Sequence, residues 1–64
     1  RWEAVGTLDS SLATTSVEAG DGQVVYYLSD GKPVGVLLWN LPGRTDKAGT
    51  VLADPPEDLS TAIS

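Results

Sequence analysis

The run Gln23-Val24-Val25-Tyr26-Tyr27-Leu28-Ser29, then Asp30-Gly31, then Lys32-Pro33-Val34-Gly35-Val36-Leu37-Leu38-Trp39 decides how this chain folds. Asp30-Gly31 fits the two central positions of a type I′ turn, both of which need positive φ, and Gly31 supplies it without strain. The flanking runs are therefore predicted to pair as a hairpin. Val24 to Leu28 is unbroken apolar sequence, which implies cover on both faces and a central position in the sheet. From Val34 to Trp39 the alternation puts Val34, Val36 and Leu38 on one face and Gly35, Leu37 and Trp39 on the other, and both faces read as buried. Pro33 has no amide donor and is tolerated at the first residue of a strand, while Gly35 leaves room for another backbone or a ring to approach closely.

On the N-terminal side, Arg1 to Leu8 alternates loosely, with Trp2, Ala4 and Leu8 at even positions and Val5 breaking the pattern, and it reads as a first strand. Asp9-Ser10-Ser11 is a polar cluster whose short side chains bond back to the main chain, a turn signal. Thr14 to Ala19 carries the β-branched Thr14, Thr15 and Val17, suits a half-buried strand, and stops at the tight connection Gly20-Asp21-Gly22. On the C-terminal side, Leu41-Pro42-Gly43 ends the sheet. Arg44 to Ala53 places Ala48, Val51 and Leu52 at helical spacing, with Gly49 a weak point inside the stripe. Asp54, Pro55 and Glu57 have the order of a cap, a first-turn proline and an acidic third residue, so a second short helix is predicted to carry Leu59, Ala62 and Ile63. Both helices are too short to stand alone and must pack on the strands. The fold class is α+β, an antiparallel sheet of about four strands with two short C-terminal helices packed on it.

A chain of 64 residues is one small domain at most and cannot hold both a cofactor-binding fold and a substrate site. Beginning Arg1-Trp2 rather than with Met, it is expected to be a piece of a longer protein. With 41% apolar and 20% charged residues it has the balance of a folding sequence. Four basic residues against nine acidic ones give a net charge of −5, which repels nucleic-acid phosphate and anionic membrane surfaces. Neither nucleic acid nor membrane insertion is expected. The absence of Cys and His removes the usual transition-metal ligands, the thiol nucleophile and the imidazole base.

The remaining constellations read as structure. Asp9 beside Ser10 and Ser11 has no base to activate a hydroxyl and is a turn. Asp54, Glu57 and Asp58 lack the alternating ligands and central Gly of a calcium loop and fit helix capping. Gly20, Gly22 and Gly31 sit at turns and do not form a phosphate-cradling loop between a strand and a helix. No catalytic, metal or cofactor-binding residue is assigned. Trp2, Tyr26, Tyr27 and Trp39 are expected to fill a core or an interface. The candidate domain-interface residues are Trp2, Val36, Leu38, Trp39 and Arg44. In isolation the chain is expected to expose a patch around Trp39, Val36 and Leu38, through which it would self-associate.

Trp2-Glu3-Ala4-Val5-Gly6, Leu8-Asp9-Ser10-Ser11-Leu12 and Val34-Gly35-Val36-Leu37-Leu38-Trp39-Asn40, followed by an Arg-bearing helix, together with Val24 to Asp30, closely resemble the C-terminal domain of apoptosis-inducing-factor-like FAD-dependent NAD(P)H oxidoreductases, in the pyridine nucleotide-disulphide oxidoreductase superfamily. The resemblance covers most of the chain. It implies that residues 1–64 are a C-terminal domain of the interface or dimerisation type, an antiparallel sheet with flanking helices. FAD- and NAD-binding domains would lie upstream and be its partners, and a homo-oligomer is allowed. FAD and NAD(P)H would be the cofactors of the parent enzyme, hydride passing from NAD(P)H to the flavin, and this domain alone would bind neither. The family's dinucleotide fingerprints and its flavin-contacting aromatic segment lie before Arg1, so neither carries over to any residue here. Animal members have a long polar insertion between the second and third of these strands, where Gly20-Asp21-Gly22 closes the gap. That departure implies a bacterial, cytoplasmic oxidoreductase (a eukaryotic one would be mitochondrial) and withdraws insertion-dependent regulation and a death-signalling role, while the acidic balance gives no support to the DNA binding of some animal relatives. The second class of function read from the same residues is a free-standing acidic interaction module, presenting a sheet face or edge to a basic partner.

Overall fold

In the computed structural model, which describes residues 2–60, 62 and 63, four strands precede one helix. They are β1 (Trp2–Gly6), β2 (Ala13–Ala19), β3 (Gly22–Ser29), β4 (Lys32–Trp39) and α1 (Thr45–Ala53). Arg1, which the sequence puts in the first strand, and Thr61, which it puts in the second helix, lie outside the described residues, as does Ser64. The sheet is antiparallel in the order β1-β4-β3-β2, so β3, which the sequence makes central, and β4, read from the sequence as buried on both faces, are each flanked on both sides. Asp30 and Gly31 have φ of 52° and 79° and join Ser29 to Lys32, the backbone signature of the type I′ turn. Gly20 and Asp21 make the other two-residue hairpin, between Ala19 and Gly22.

Register sorts the side chains into two faces. On one, Val5, Val36, Tyr26 and Thr15 form a row across the sheet, and Glu3, Leu38, Val24 and Val17 form the next. This is the core face, and its central members Val24, Tyr26, Val36 and Leu38 are essentially inaccessible. Ala48 and Val51 of α1, with Leu41 and Ile63, complete the cluster. Burying each large side chain there contributes about 1.5–3 kcal/mol.

The alternation is broken once. Tyr27 pairs with Gly35 but Leu28 pairs with Pro33, leaving Val34 as an extra residue on β4. This β-bulge turns Pro33 to the core side with Leu28, where it is buried. Val34 is thus not a third member of the Val36 and Leu38 row. β1 ends opposite Gly35, so Pro33 lies beyond the stretch of β4 that has neighbours on both sides, and its missing amide interrupts no β1 ladder.

The connection from β1 to β2 must pass from one edge of the sheet to the other, and it does so against Gly35. A side chain there would overlap the Thr7 carbonyl, with Leu8 Cδ2 next at 3.0 Å. The Thr7 amide donates to the Val34 carbonyl at 2.9 Å and fixes the crossing. Of the two approaches that Gly35 leaves open, by a backbone or by a ring, the structure has the backbone. Asp9 then closes the turn, its carboxylate accepting from the Ser11 amide at 2.9 Å and the Ser11 hydroxyl at 2.8 Å.

The predicted second helix is not present among the described residues. Asp54 has φ −143° and ψ 80°, because a residue before proline is driven out of the helical region, and Pro55 precedes Pro56 under the same restriction. Further on, Asp58 accepts from the hydroxyl and amide of Ser60, a local turn that competes with helical bonding. The apolar residues assigned to that helix still pack on the sheet. Ile63 is buried and Leu59 and Ala62 lie against the core, with the tail pinned by the Tyr26 hydroxyl donating to the Leu59 carbonyl at 2.8 Å.

Three substitutions test this account. Gly35→Ala is expected to cost about 3 kcal/mol or more, since backbone and not a flexible side chain fills the space. Gly49→Ala, with open space around it in α1, should instead stabilise by up to about 1 kcal/mol. Chemical denaturation of both variants reads the difference in sign. Tyr26→Phe is expected to cost about 1 kcal/mol at neutral pH. Burial pushes the Tyr26 hydroxyl above the ordinary value of 10.0, so the unfolded chain ionises first. The contribution is fully present below about pH 10 and is lost as pH rises through the folded value. The alkaline loss of stability should be smaller in Tyr26→Phe, as measured by urea unfolding on both sides of about pH 10.

Candidate functional site

The helix and the tail close one face of the sheet, and the other face is open. Its first row is Trp2, Trp39, Gln23 and Glu18, its second Ala4, Leu37, Val25 and Ser16, and its third Gly6, Gly35, Tyr27 and Thr14. The crossing at Thr7 and Leu8 covers the third row at Gly35, so the accessible part is the end that carries the tryptophans. Trp2 is 63% exposed and Trp39 50%, directly opposite each other on adjacent strands. Leu37, Val25 and Tyr27 are half-buried beside them. Contiguous apolar surface of this kind marks a place where something docks.

One edge of this surface is acidic. Glu18 ends the tryptophan row, and Asp21 stands in the adjoining hairpin turn, whose carbonyl accepts from Asn40 Nδ2 at 3.2 Å. Glu18, Asp21, Gln23 and Trp39 line a shallow cleft of about 290 Å³. A larger cleft of about 490 Å³ lies where the β3–β4 turn meets Pro55 and Pro56, and it offers one charge of each sign, Lys32 and Glu57, without an aromatic ring.

The two carboxylate–hydroxyl pairs, Asp9–Ser11 and Asp58–Ser60, are local. The Asp9 carboxyl is held below the usual aspartate value by the Ser11 amide and then its hydroxyl, and the Asp58 carboxyl by the Ser60 hydroxyl and then its amide. Both are surface turns, and the Ser11 and Ser60 hydroxyls donate to the carboxylates rather than facing a base. Among the described residues no three acidic groups converge as a metal site would require. No described helix is long and apolar enough to cross a membrane.

The five candidate interface residues separate. Trp2 and Trp39 come together on the open face. Val36 and Leu38, at 0% and 1% exposure, point the other way into the domain's own core, so the exposed patch expected around Trp39, Val36 and Leu38 contains only the first of them. The physical reason is the two-residue period of the strand, which divides Val36 and Leu38 from Leu37 and Trp39. Arg44 lies at the N-terminal end of α1, outside the sheet, its Nη1 donating to the Pro42 carbonyl at 2.9 Å. Glu18, Gln23, Val25, Tyr27 and Leu37 were not among the candidates. Alternation along β2, with Thr14, Ser16 and Glu18 on one side, was the signal for the polar end of the face, but only cross-strand register places it beside Trp39.

No family model matches the chain, and neither does any curated protein.

The division into a closed and an open face is testable by stability alone. Leu38→Ala is expected to cost about 2–5 kcal/mol. Trp39→Ser, which removes only a cross-strand contact, should cost no more than about 1 kcal/mol. Thermal or urea unfolding of the two variants measures the contrast.

Proposed function

We propose that this chain is the C-terminal domain of an apoptosis-inducing-factor-like FAD-dependent NAD(P)H oxidoreductase, packing through its open sheet face on the flavin- and nicotinamide-binding domains of the same enzyme. The observation that carries this reading is the exposed Trp2–Trp39 pair on an apolar face whose opposite side is already closed. The sequence segments that resemble that family, Trp2 to Gly6 and Val34 to Asn40, contribute both tryptophans. The domain's role is positional: it shields and braces its neighbours, and it forms one wall of the flavin pocket or a subunit contact.

The chain's own residues do not fit a complete flavin or nicotinamide site. Gly20 and Gly31 are spent in two-residue hairpins, and α1 follows β4 through Leu41-Pro42-Gly43 rather than through a glycine-rich phosphate loop. The redox chemistry therefore belongs to the partner domains, and no step of it is assigned to a residue here.

A second reading, a free-standing acidic interaction module, is favoured by one observation of its own. β2 is an edge strand of seven residues, mostly exposed, without the lysine or proline that commonly blunts such edges. The reading frame of the gene separates the two, because the oxidoreductase requires βαβ units with G-x-G-x-x-G turns upstream.

The direct test is to express the full-length protein and record its visible spectrum. A yellow protein with bound flavin is expected. In it, Trp39→Arg should loosen the packing, seen as faster proteolysis near this domain with the flavin chromophore retained. A colourless, well-folded product would count against the assignment.

A further inference from the structure

We propose that the open face receives a basic, partly apolar segment of the neighbouring domain that packs on it, whose guanidinium or ammonium groups lie over the Trp39 ring and reach the Glu18 and Asp21 carboxylates. The inference rests on the reading above in taking this face as a docking surface, and goes further in fixing the chemistry of what docks.

Three observations select a cation. Among the described residues, the three rows of this face carry one formal charge, Glu18, and no lysine or arginine; Lys32, opposite Ser29, follows at the end of the sheet away from the tryptophans. Glu18 and Asp21 share a cleft with Trp39, and the electron-rich face of an indole attracts the same cations as the carboxylates do. The chain as a whole carries −5, so approach of a basic segment is steered and approach of an acidic one opposed. Leu37, Val25 and Ala4 beside the tryptophans supply apolar contact for the aliphatic stems of Arg or Lys and for an interleaved apolar side chain.

The same charges disfavour a second copy as occupant. Two such faces would bring Glu18 and Asp21 of both chains to one interface with no cation among the described residues of the tryptophan row to answer them, and two molecules of like net charge would have to associate. The geometry is held in place: Asn40 binds the Asp21 carbonyl, and a side chain at Gly22 would meet the Trp39 carbonyl at 2.5 Å, so turn and strand end pack as one unit.

The test is an NMR titration of the 64-residue chain with an alternating Arg-Leu pentapeptide and with the same peptide carrying neutral citrulline in place of arginine. With the arginine peptide, saturable shifts are expected at the indole N–H groups of Trp2 and Trp39 and at the amides of residues 18–23. The citrulline peptide, and separately the Glu18→Gln/Asp21→Asn variant, should bind roughly three- to tenfold more weakly, and added salt should weaken the arginine peptide alone. Glu57→Gln, away from this face, should bind as the parent does. Equal affinity for the two peptides, or shifts confined to α1 and the tail, would overturn the proposal. So would indole shifts that grow with protein concentration alone while sedimentation shows a dimer, because a second copy would then fill the face. Failure is separable from failure of the oxidoreductase reading: a flavin-bearing parent whose isolated chain ignores the arginine peptide removes this inference only, and a colourless parent leaves a positive titration standing.

Discussion

The structure depends on how little material is available to cover a four-stranded sheet. Strand geometry sends successive side chains to opposite faces, so β4, flanked by β1 and β3, generates two apolar surfaces whether or not the chain can bury both. One nine-residue helix and an irregular tail close the face that carries Val24, Tyr26, Val36 and Leu38. Among the described residues nothing comparable reaches the other face. The tryptophans opposite that core are exposed because α1 and the tail both lie on the Val36 and Leu38 side.

Where the second face is covered at all, a single glycine is responsible. The short connection from β1 to β2 has to cross the sheet, and a backbone can lie against a strand only where no side chain stands in its way. Gly35 is that place, and the bulge at Val34 immediately beside it offers the carbonyl that the Thr7 amide binds. The crossing occupies the Gly6–Gly35–Tyr27 row and leaves the Trp2–Trp39 row free. The position of one missing side chain thus fixes the extent of the open surface and keeps it beside the acidic β2–β3 turn.

The strands, the helix from about residue 44 to 53 and the Asp30-Gly31 turn were legible in the sequence because each rests on a local rule, either a conformational preference or a short period. Gly35 was legible as a site of close approach, though not what approaches it. Three things were not legible. Val24 to Leu28 is apolar on both sides, so its pattern does not say which residues the core takes; register with Val36 and Leu38 decides that. The bulge at Val34 shifts the alternation where nothing in the sequence announces it, and turns Pro33 inward. After Asp54, a pattern of cap, proline and acidic residue promised a helix, but the second proline, Pro56, also restrains the residue before it, and Asp58 and Ser60 satisfy each other locally. Packing of Leu59, Ala62 and Ile63 on the sheet was foreseen from apolarity while the backbone that delivers them was not.

An apolar face on so small a domain is an aggregation hazard unless something opposes association. Here the opposition is built from charge placed at the margin of the patch and from the overall excess of acid. The arrangement discriminates by sign. Hydrophobic attraction would draw two identical copies together as readily as it draws a foreign surface, but Glu18 and Asp21 add repulsion in the first case and attraction when the visitor is basic. In the proposed docking, carboxylates beside an exposed indole would do two jobs with one feature: oppose association of the unpartnered domain with itself, and select the surface that covers the tryptophans.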